Sequence, residues 1–350
     1  MKEIAQVSWK SPANIAFIKY WGKHGNQLPQ NPSLSMALDK CFTETKVVLY
    51  EKVTGAAVDF DFFFEGKKNE KFSLRIADFL NKLTDRLSVL DRYKLHIESH
   101  NSFPHSAGIA SSASALSALA LCMGSIEIRL GTKGEENFYQ WISELARIGS
   151  GSASRSVYGG FSVWGQYDSL KGTSDLYATE FTSPVHKHFQ CLRDVILIVD
   201  KRQKEVSSSL GHSLMNGHPY AAARFESARK NLTELVNAMQ RGDFDQFAFI
   251  LEHEALSLHA MMMTANPWFT LLAPDSLLII QKIREFRRNT EAKITFTIDA
   301  GPNIHVIFPA EEDEIVRPFI ENELAAHCIN NQFIVDNIGN GPELLLDEFN

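Results

Sequence analysis

The segment Pro104–Ser114, PHSAGIASSAS, constrains the fold most, because it joins a predicted strand, YKLHIESH, to a run of small apolar residues. That run begins with serines and ends at a glycine, which predicts a helix over Ser112–Gly124. Gly108 allows the backbone to approach a ligand closely. Ser111 and Ser112 stand at the predicted helix N-terminus, where unpaired N–H groups suit an anion. The segment therefore predicts a phosphate-binding loop, with an ordinary helix cap as the alternative.

The lysine of the Walker-type loop GxxxxGK[ST] has no counterpart here, because that pattern is absent from the whole chain. Serine hydroxyls can take over part of the role of that lysine, since they donate hydrogen bonds to phosphate and can reach a magnesium ion. Ser111 and Ser112 are therefore candidates for contact with phosphate and magnesium.

The composition excludes several classes of protein. The chain has 350 residues and a formal net charge of -7, so it lacks the basic excess of a nucleic-acid-binding protein. Its four cysteines form no CxxC pair and no zinc spacing with histidine, which favours a reduced, cytoplasmic compartment. The N-terminus does not resemble a signal peptide, and the apolar run Ala113–Met123 is too short to span a bilayer. We therefore expect no nucleic-acid or membrane partner.

Strand and helix patterns interleave without the regular alternation of a parallel doubly wound sheet, so we predict an α+β fold. Two β-rich runs between residues 43 and 68 suggest antiparallel strands. A polar stretch before residue 190 predicts a boundary between a first domain, residues 1–190, and a second, residues 191–350. Helices are predicted at residues 70–87, 112–124, 138–149, 219–240, 244–261, 277–288 and 313–324. Further strands are predicted at residues 93–100, 158–167 and 194–200. Two more flank a turn within residues 292–310, and the last lies at residues 332–339.

Three further segments concentrate residue types that bind anions or carry protons. The first, NIAFIKYWGK, contains Asn14, Lys19 and Lys23, and its alternative is a strand with surface lysines. The second, RIGSGSASRSVYGG, is dense in donors, and its Arg155 can clamp a carboxylate or phosphate, although a flexible linker has a similar composition. The third, TFTIDAGPN, places Asp299 where a strand enters a turn, a position that aspartate often occupies for structural reasons.

Together these segments resemble the GHMP superfamily of small-molecule kinases, which includes galactokinase, homoserine kinase, mevalonate kinase and phosphomevalonate kinase. The Pro-x3-Gly-x2-Ser-Ser loop is the general mark of that superfamily. NIAFIKYWGK, NSFPHSAGIASSAS, GSGSASRSVYGGF and IDAGPN, in this order, resemble its diphosphomevalonate decarboxylase family. The resemblance implies an N-terminal α/β half with the phosphate loop, a C-terminal ferredoxin-like half, and a site in the cleft between them. It also implies a homodimer.

The resemblance further implies that the protein uses ATP and magnesium to phosphorylate the tertiary 3-hydroxyl of mevalonate 5-diphosphate. Phosphate and carbon dioxide then leave, and isopentenyl diphosphate forms, a step of isoprenoid biosynthesis by the mevalonate pathway. Three alternatives stay open: a mevalonate 5-phosphate decarboxylase, a kinase that does not decarboxylate, and a ligand-binding protein without activity. Candidates for recognising the number of substrate phosphates are Lys23, Lys71 and the basic cluster at Lys201, Arg202 and Lys204.

By position, the resemblance implies catalytic roles for three residues. Asp299 would orient or deprotonate the 3-hydroxyl, Lys19 would lie beside it, and Arg155 would hold the substrate carboxylate. The implied substrate-binding residues are Asn14, Tyr20, Trp21, Lys23, Ser150, Ser152, Arg155 and Ser209. The implied ATP-binding residues are Pro104, Gly108, Ser111 and Ser112, with Ser112 also the candidate magnesium ligand. His105 departs from the family's loop and either contacts the nucleotide or faces solvent.

Overall fold

The computed structural model describes residues 2–52, 55, 58–104, 111–201 and 206–349. The strands are β1 Glu3–Ala16, β2 Lys23–His24, β3 Leu28–Pro29, β4 Ser33–Glu51, β5 Asp59–Phe64, β6 Lys67–Lys68, β7 Tyr93–Asn101, β8 Phe161–Trp164, β9 Ala178–Glu180, β10 Leu192–Leu197, β11 Thr295–Thr297, β12 Ile304–Pro309, β13 Phe333–Asn337 and β14 Glu343–Phe349. The α-helices are α1 Glu70–Asn81, α2 Val89–Arg92, α3 Ser111–Arg129, α4 Phe138–Gly149, α5 Lys187–Gln190, α6 Ser208–Ser213, α7 Ala221–Arg241, α8 Phe244–Met263, α9 Pro274–Thr290 and α10 Asp313–Phe319. A 3-10 segment, Gly151–Arg155, follows α4.

The larger sheet has the strand order β14-β1-β4-β7-β5-β6, with β8 and β9 attached at β4. The two β-rich runs between residues 43 and 68 form strands that run antiparallel to each other, as predicted, but these strands are not neighbours in the sheet. Strand β7 lies between them, antiparallel to β4 and parallel to β5. Strand β14 lies beyond the strand expected to be the last, and it pairs with β1. Its sequence, ELLLDEF, lacks the alternation of a half-buried strand, and β14 is a mostly exposed edge.

Helix α3 begins at Ser111, close to the predicted start, but it does not end at the predicted glycine. Gly124 lies inside the helix, because α4 crosses there so closely that a Cβ atom at Gly124 would lie 2.1 Å from the Ile142 side chain. The helix packs on β1 and β4 and is buried on most sides. Its length and hydropathy alone would suit a bilayer, but 72% of its most apolar window is buried inside the protein. Packing between sheet and helices therefore explains the apolar run.

The smaller sheet has the strand order β11-β12-β10-β13, and all its pairs are antiparallel. Numbered along the chain, these four strands lie in the order 4-1-3-2, with α7, α8 and α9 between the first two and α10 between the last two. This is the split β-α-β arrangement of a ferredoxin-like fold. The predicted α+β class and the ferredoxin-like second half are therefore confirmed.

The two halves share a core. Phe17, just after β1, packs edge-on against Phe247 of α8, with ring centroids 5.4 Å apart. Asp336 of β13 accepts hydrogen bonds from the backbone N–H groups of Asp39, Lys40 and Cys41 at 2.9, 2.8 and 2.7 Å. The first contact holds the residues that follow β1 against α8, and the second holds β4 against β13 of the second sheet. The division at residue 190 stays a prediction, and β14 returns across it to the first sheet.

Candidate active site

Lys19 and Asp299 meet in the cleft between the halves. The Nζ of Lys19 donates to Oδ1 of Asp299 at 2.8 Å, and the lysine side chain is 2% exposed while the aspartate is 28% exposed. Burial alone would raise the pKa of Asp299, but the Lys19 ammonium, His305 and Arg155 together hold that pKa below its ordinary value. Asp299 is therefore ionised at neutral pH and open on one side to a ligand.

The turn that carries Asp299 is held from several directions. The N–H of Gly301 donates to the Asp299 carbonyl oxygen at 2.7 Å, and Nε2 of His259 lies 3.1 Å from the same oxygen. Farther along the turn, Oδ1 of Asn303 accepts the N–H of Val199 at 2.8 Å. The carboxylate therefore projects from a backbone that is fixed before any ligand binds.

Arg155 ends the 3-10 segment after α4 and is 3% exposed. Its Nε donates to Oδ1 of Asn14 at 3.3 Å, and its Nη1 donates to the Ser33 hydroxyl at 2.5 Å. Burial lowers the pKa of Arg155 to about 10, although the Asp299 charge opposes the shift. Within the described residues no carboxylate forms an ion pair with this guanidinium, which stays charged at neutral pH. The arrangement suits an incoming carboxylate.

Asn14 connects Arg155 to the serine-rich segment. It lies next to an irregularity in the pairing of β1 with β4, and its Nδ2 donates to the Ser156 hydroxyl at 2.8 Å and to the Ser152 carbonyl at 3.2 Å. The hydroxyl oxygens of Ser150 and Ser152 are 3.3 Å apart, and both residues are half-buried. The structure thus brings Asn14, Ser150, Ser152 and Arg155 together.

Tyr20 lies between two aromatic rings, 4.7 Å from Trp164 and 4.4 Å from His212 between centroids. Its hydroxyl is buried and has no hydrogen-bond partner among the described residues. Gly151 makes room for it, because a Cβ atom there would lie 2.8 Å from the hydroxyl oxygen. Trp21 is buried in an apolar cluster of the second half, so the structure gives it a packing position. Tyr20 is the better placed of the two for a polar contact.

His212 of α6 is a site residue that the sequence analysis missed. Its Nδ1 accepts the Gly22 N–H at 3.0 Å, so the ring proton lies on Nε2, which has no protein partner within the described residues. Burial, together with the charges of Lys23 and Arg155, lowers the pKa of His212 to about 3. His212 therefore offers a neutral hydrogen-bond donor beside Tyr20.

A cavity of about 430 Å³ brings together predicted substrate and nucleotide residues. Lys23 donates from Nζ to Oε1 of Gln27 at 2.8 Å, and burial and then the Lys82 charge lower its pKa. Arg75, which the sequence analysis missed, donates from Nη2 to the Ser112 hydroxyl at 3.1 Å. A wider groove of about 1100 Å³ beside α8 and α9 contains no predicted site residue. The predicted residues that line the smaller cavity are Lys23, Ser111, Ser112 and Ser209.

Some predicted positions stay apart from this arrangement. Gly108 and His105 fall outside the described residues, and Pro104 is exposed just before them. Lys71 is exposed on α1 and does not line the cavity. Lys201 contacts Gln332 and also lies off the cavity lining, while the rest of its basic cluster, residues 202–204, is outside the described part of the chain.

The chain matches models for both halves of one enzyme family. The model described as the diphosphomevalonate decarboxylase-like N-terminal domain matches residues 11–178. The model described as the mevalonate 5-diphosphate decarboxylase C-terminal domain matches residues 194–344. The predicted resemblance is thereby confirmed over most of the chain.

Individual relatives agree with the family models. The diphosphomevalonate decarboxylase of Rattus norvegicus is 31% identical over 328 residues, which is 87% of this chain and 77% of the relative. The crystal structure of mevalonate diphosphate decarboxylase from Staphylococcus aureus is 32% identical, with a TM-score of 0.83 over 98% of each chain. A structure of MDDEF in complex with MVAPP, AMPPCP and magnesium is 31% identical, with a TM-score of 0.82 over 98% of this chain and 99% of that one. The chain therefore belongs to the diphosphomevalonate decarboxylase family, with the two-domain fold of the GHMP superfamily.

Proposed function

We propose that the protein catalyses the ATP-dependent decarboxylation of mevalonate 5-diphosphate to isopentenyl diphosphate. Its family supports the proposal, as does the relative that binds MVAPP with AMPPCP and magnesium. The observation that carries it is the Lys19–Asp299 pair beside Arg155, a guanidinium with no carboxylate partner in the described part of the chain. A base, a buried cation and an anion-holding group in one cleft meet the needs of phosphorylation followed by decarboxylation.

In the first step, Asp299 accepts the proton of the substrate's 3-hydroxyl while that oxygen bonds to the terminal phosphorus of ATP. The bond from this phosphorus to the bridging oxygen breaks, and its electron pair leaves with ADP. Lys19 offsets the negative charge that gathers at the transferred group. Phosphoryl transfer depends mainly on positioning and charge stabilisation, so a carboxylate of low pKa is sufficient.

In the second step, the bond between carbon 3 and the phosphorylated oxygen breaks, and its electron pair leaves with phosphate. The bond from carbon 2 to the carboxylate then breaks, its electron pair forms the new carbon–carbon double bond, and carbon dioxide leaves. Arg155 holds the carboxylate in line for this cleavage, while Asn14 and Ser33 fix the guanidinium. The unpartnered Tyr20 hydroxyl and His212 N–H are further donors for substrate oxygens.

The 430 Å³ cavity fits a nucleotide, because it joins hydroxyl groups at the start of α3 to an apolar wall. Ser111 and Ser112 would hold phosphate oxygens, and Phe62, Phe64 and Leu116 would contact the base. Magnesium, when bound with ATP, neutralises phosphate charge. The Ser112 hydroxyl would be one of its ligands, together with phosphate oxygens.

Replacing Ser112 with alanine will raise the KM for ATP on the order of tenfold, because one hydrogen bond to a charged group is lost. The magnesium concentration needed for half-maximal rate will rise with it, whereas the KM for the decarboxylation substrate will stay within about twofold. Steady-state kinetics at varied ATP and magnesium measure this. Ser125→Ala, which removes a hydroxyl that Trp9 donates to farther along α3, is the control. Unchanged ATP and magnesium dependence in Ser112→Ala would remove this serine from the nucleotide site.

The charges of the cavity favour the diphosphate over the monophosphate substrate. Lys23 contacts a neutral partner, Gln27, and forms no ion pair within the described residues. We therefore expect kcat/KM to be greatest for mevalonate 5-diphosphate when it is offered separately from mevalonate 5-phosphate and mevalonate. A preference for mevalonate 5-phosphate would assign the protein to the alternative decarboxylase.

We further propose a homodimer that forms through the outer face of α8, defined by Phe249, His253, Leu256, Ala260 and Met263. Phe249 and Met263 are 61% and 54% exposed, and none of the five residues is an aspartate, glutamate, lysine or arginine. A solvent-facing helix surface normally carries charge. Phe249 and Met263 each lie seven residues from Leu256, so an antiparallel second copy would set Leu256 against itself and Phe249 against Met263. The face extends along a helix about 30 Å long, enough for the centre of a standard interface.

Leu256→Lys will convert the dimer to a monomer, because two ammonium groups would oppose each other at the symmetry axis. Light scattering after size-exclusion chromatography measures the mass directly. Asn237→Lys on the exposed, polar side of α7 adds the same charge elsewhere and should leave the dimer intact. A monomeric wild-type protein, or an unchanged mass in Leu256→Lys, would contradict the proposed interface.

We propose a cytoplasmic location and no nucleic-acid or membrane partner. The four cysteines are free, which suits a reducing compartment. The net charge of -7 argues against a polyanion partner, and the apolar character of α3 is accounted for by its burial.

A further inference from the structure

Helix α8 carries two glutamate–arginine pairs, one buried and one partly buried, whose glutamates are two residues apart in the sequence. Glu252 accepts two hydrogen bonds from Arg287 of α9, at 2.5 and 3.2 Å. Glu254 accepts two from Arg224 of α7, at 3.0 and 2.6 Å. The pairs are similar in chemistry, but only Glu254 also contacts the Lys19 backbone. This difference allows a direct comparison of two glutamate–arginine pairs on one helix.

Glu254 is fully buried, and four donors satisfy its carboxylate. One oxygen accepts from Arg224 and from Nδ2 of Asn231, the latter at 2.6 Å. The other accepts from Arg224 and from the backbone N–H of Lys19 at 2.9 Å. Arg224 and Asn231 belong to α7, the neighbour of α8, whereas Lys19 belongs to the other half of the protein. The carboxylate is therefore a fixed anchor in the second half that holds the chain of the first half.

The carbonyl oxygen and the ammonium of Lys19 are also held by hydrogen bonds. Its carbonyl oxygen accepts from Nδ2 of Asn31 at 3.1 Å, and its ammonium donates to Asp299. A buried ion pair is costly to desolvate and often adds little net stability. A contribution to folding stability therefore explains the presence of the Glu254–Arg224 pair poorly. The pair is better explained by its effect on Lys19, whose backbone must be fixed for the ammonium to contact Asp299 at 2.8 Å.

We propose that Glu254 is a positioning residue for the reaction: it holds the Lys19 backbone so that the ammonium is aligned with Asp299. The inference rests on the proposed function, because it assigns the effect to catalysis through Lys19.

The charges that face Lys19 give the direction of the expected pH effect. Burial lowers the pKa of Lys19, while Asp299 and then Glu254 raise it and Arg155 lowers it further. His305 and His259 lie on the Asp299 side, where His305 acts on the carboxylate and His259 contacts the backbone. Removing the charge of Glu254 also leaves Arg224 unpaired. Both changes disfavour the ammonium, so the pKa of Lys19 will fall.

The test compares Glu254→Gln with Glu252→Gln in the full chain, under saturating ATP and substrate. Both variants will lower the melting temperature, because each breaks an ion pair that is at least partly buried. Glu254→Gln alone will lower kcat, on the order of tenfold or more, and will move the alkaline limb of its pH profile to lower pH. The KM for ATP will stay within about twofold of wild type. Equal kcat values and equal alkaline limbs in the two variants would overturn the inference.

A second pair of variants, in which aspartate replaces each glutamate, provides the test if Glu254→Gln does not fold. Glu254→Asp retains the charge but shortens the reach to the Lys19 N–H, so kcat will fall relative to Glu252→Asp while the alkaline limb stays near that of wild type. Equal kcat in these two variants would overturn the inference. Absence of turnover by the wild-type protein would overturn the proposed function and the inference with it. Turnover by the wild-type protein, together with equal kcat values in the Glu254 and Glu252 variants, would overturn the inference alone.

Discussion

Asp299→Asn will lower kcat by about 10²- to 10⁴-fold, the range expected when a general base is lost. The amide cannot accept the hydroxyl proton, and it leaves the buried Lys19 ammonium without its counter-ion. ATP affinity will stay near normal, because Ser111 and Ser112 line a cavity that does not include Asp299. Steady-state kcat and the KM for ATP measure the two effects separately.

Asp313→Asn is a suitable control for this substitution, because Asp313 also pairs with a cation, Arg317, but lies outside the site. It should leave kcat unchanged. The lowered pKa of Asp299 also means that the carboxylate remains ionised until the pH falls below its ordinary value of about 4. Loss of activity from protonation of Asp299 is therefore expected only below that pH. Near-normal turnover by Asp299→Asn would remove Asp299 from the chemistry.

Arg155→Lys will lower kcat/KM on the order of a hundredfold, because a bidentate hydrogen bond between charged groups is lost. The guanidinium contacts Asn14 and Ser33 while it keeps donors for a ligand, and an ammonium cannot do both. A lysine in this buried position would also have a lowered pKa, since burial disfavours its charge. Kinetics with varied decarboxylation substrate measure the loss.

Arg147→Lys provides the matched control, because Arg147 is equally buried but donates to the backbone carbonyl groups of Leu176 and Asn26. Its kcat/KM should fall by no more than a few-fold. If Arg155→Lys kept the wild-type kcat/KM, Arg155 would not be the group that holds the carboxylate.

Most of the site residues could be predicted from short motifs in the sequence. NIAFIKYWGK, GSGSASR and DAGPN each contain one member of the Lys19, Arg155 and Asp299 set, and the family resemblance related them to one cleft. The pairing itself could not be read from local pattern, because Lys19 and Asp299 are separated by 280 positions in the chain. The ferredoxin-like half was likewise implied by resemblance, and its strand order became evident only in the sheet.

The features that sequence reasoning missed depend on distant contacts. Ser33 and Glu254 lie in ordinary strand and helix patterns, and only the fold brings Ser33 to Arg155 and Glu254 to Lys19 and Arg224. His212 follows a serine run that drew attention to Ser209 instead. Gly124 was interpreted as a helix end, although the close crossing of α4 makes it an interior residue. In each case the deciding partner comes from another part of the chain.

The most direct test of the proposed reaction follows ADP and carbon dioxide together in one assay, with purified protein, ATP, magnesium and mevalonate 5-diphosphate. Both products should appear at equal rates, because phosphorylation by ATP prepares the decarboxylation. ADP without carbon dioxide would make the protein a kinase, and the absence of both products would leave it a ligand-binding protein on this fold. Either result would contradict the assignment of Asp299, Lys19 and Arg155 to a decarboxylase.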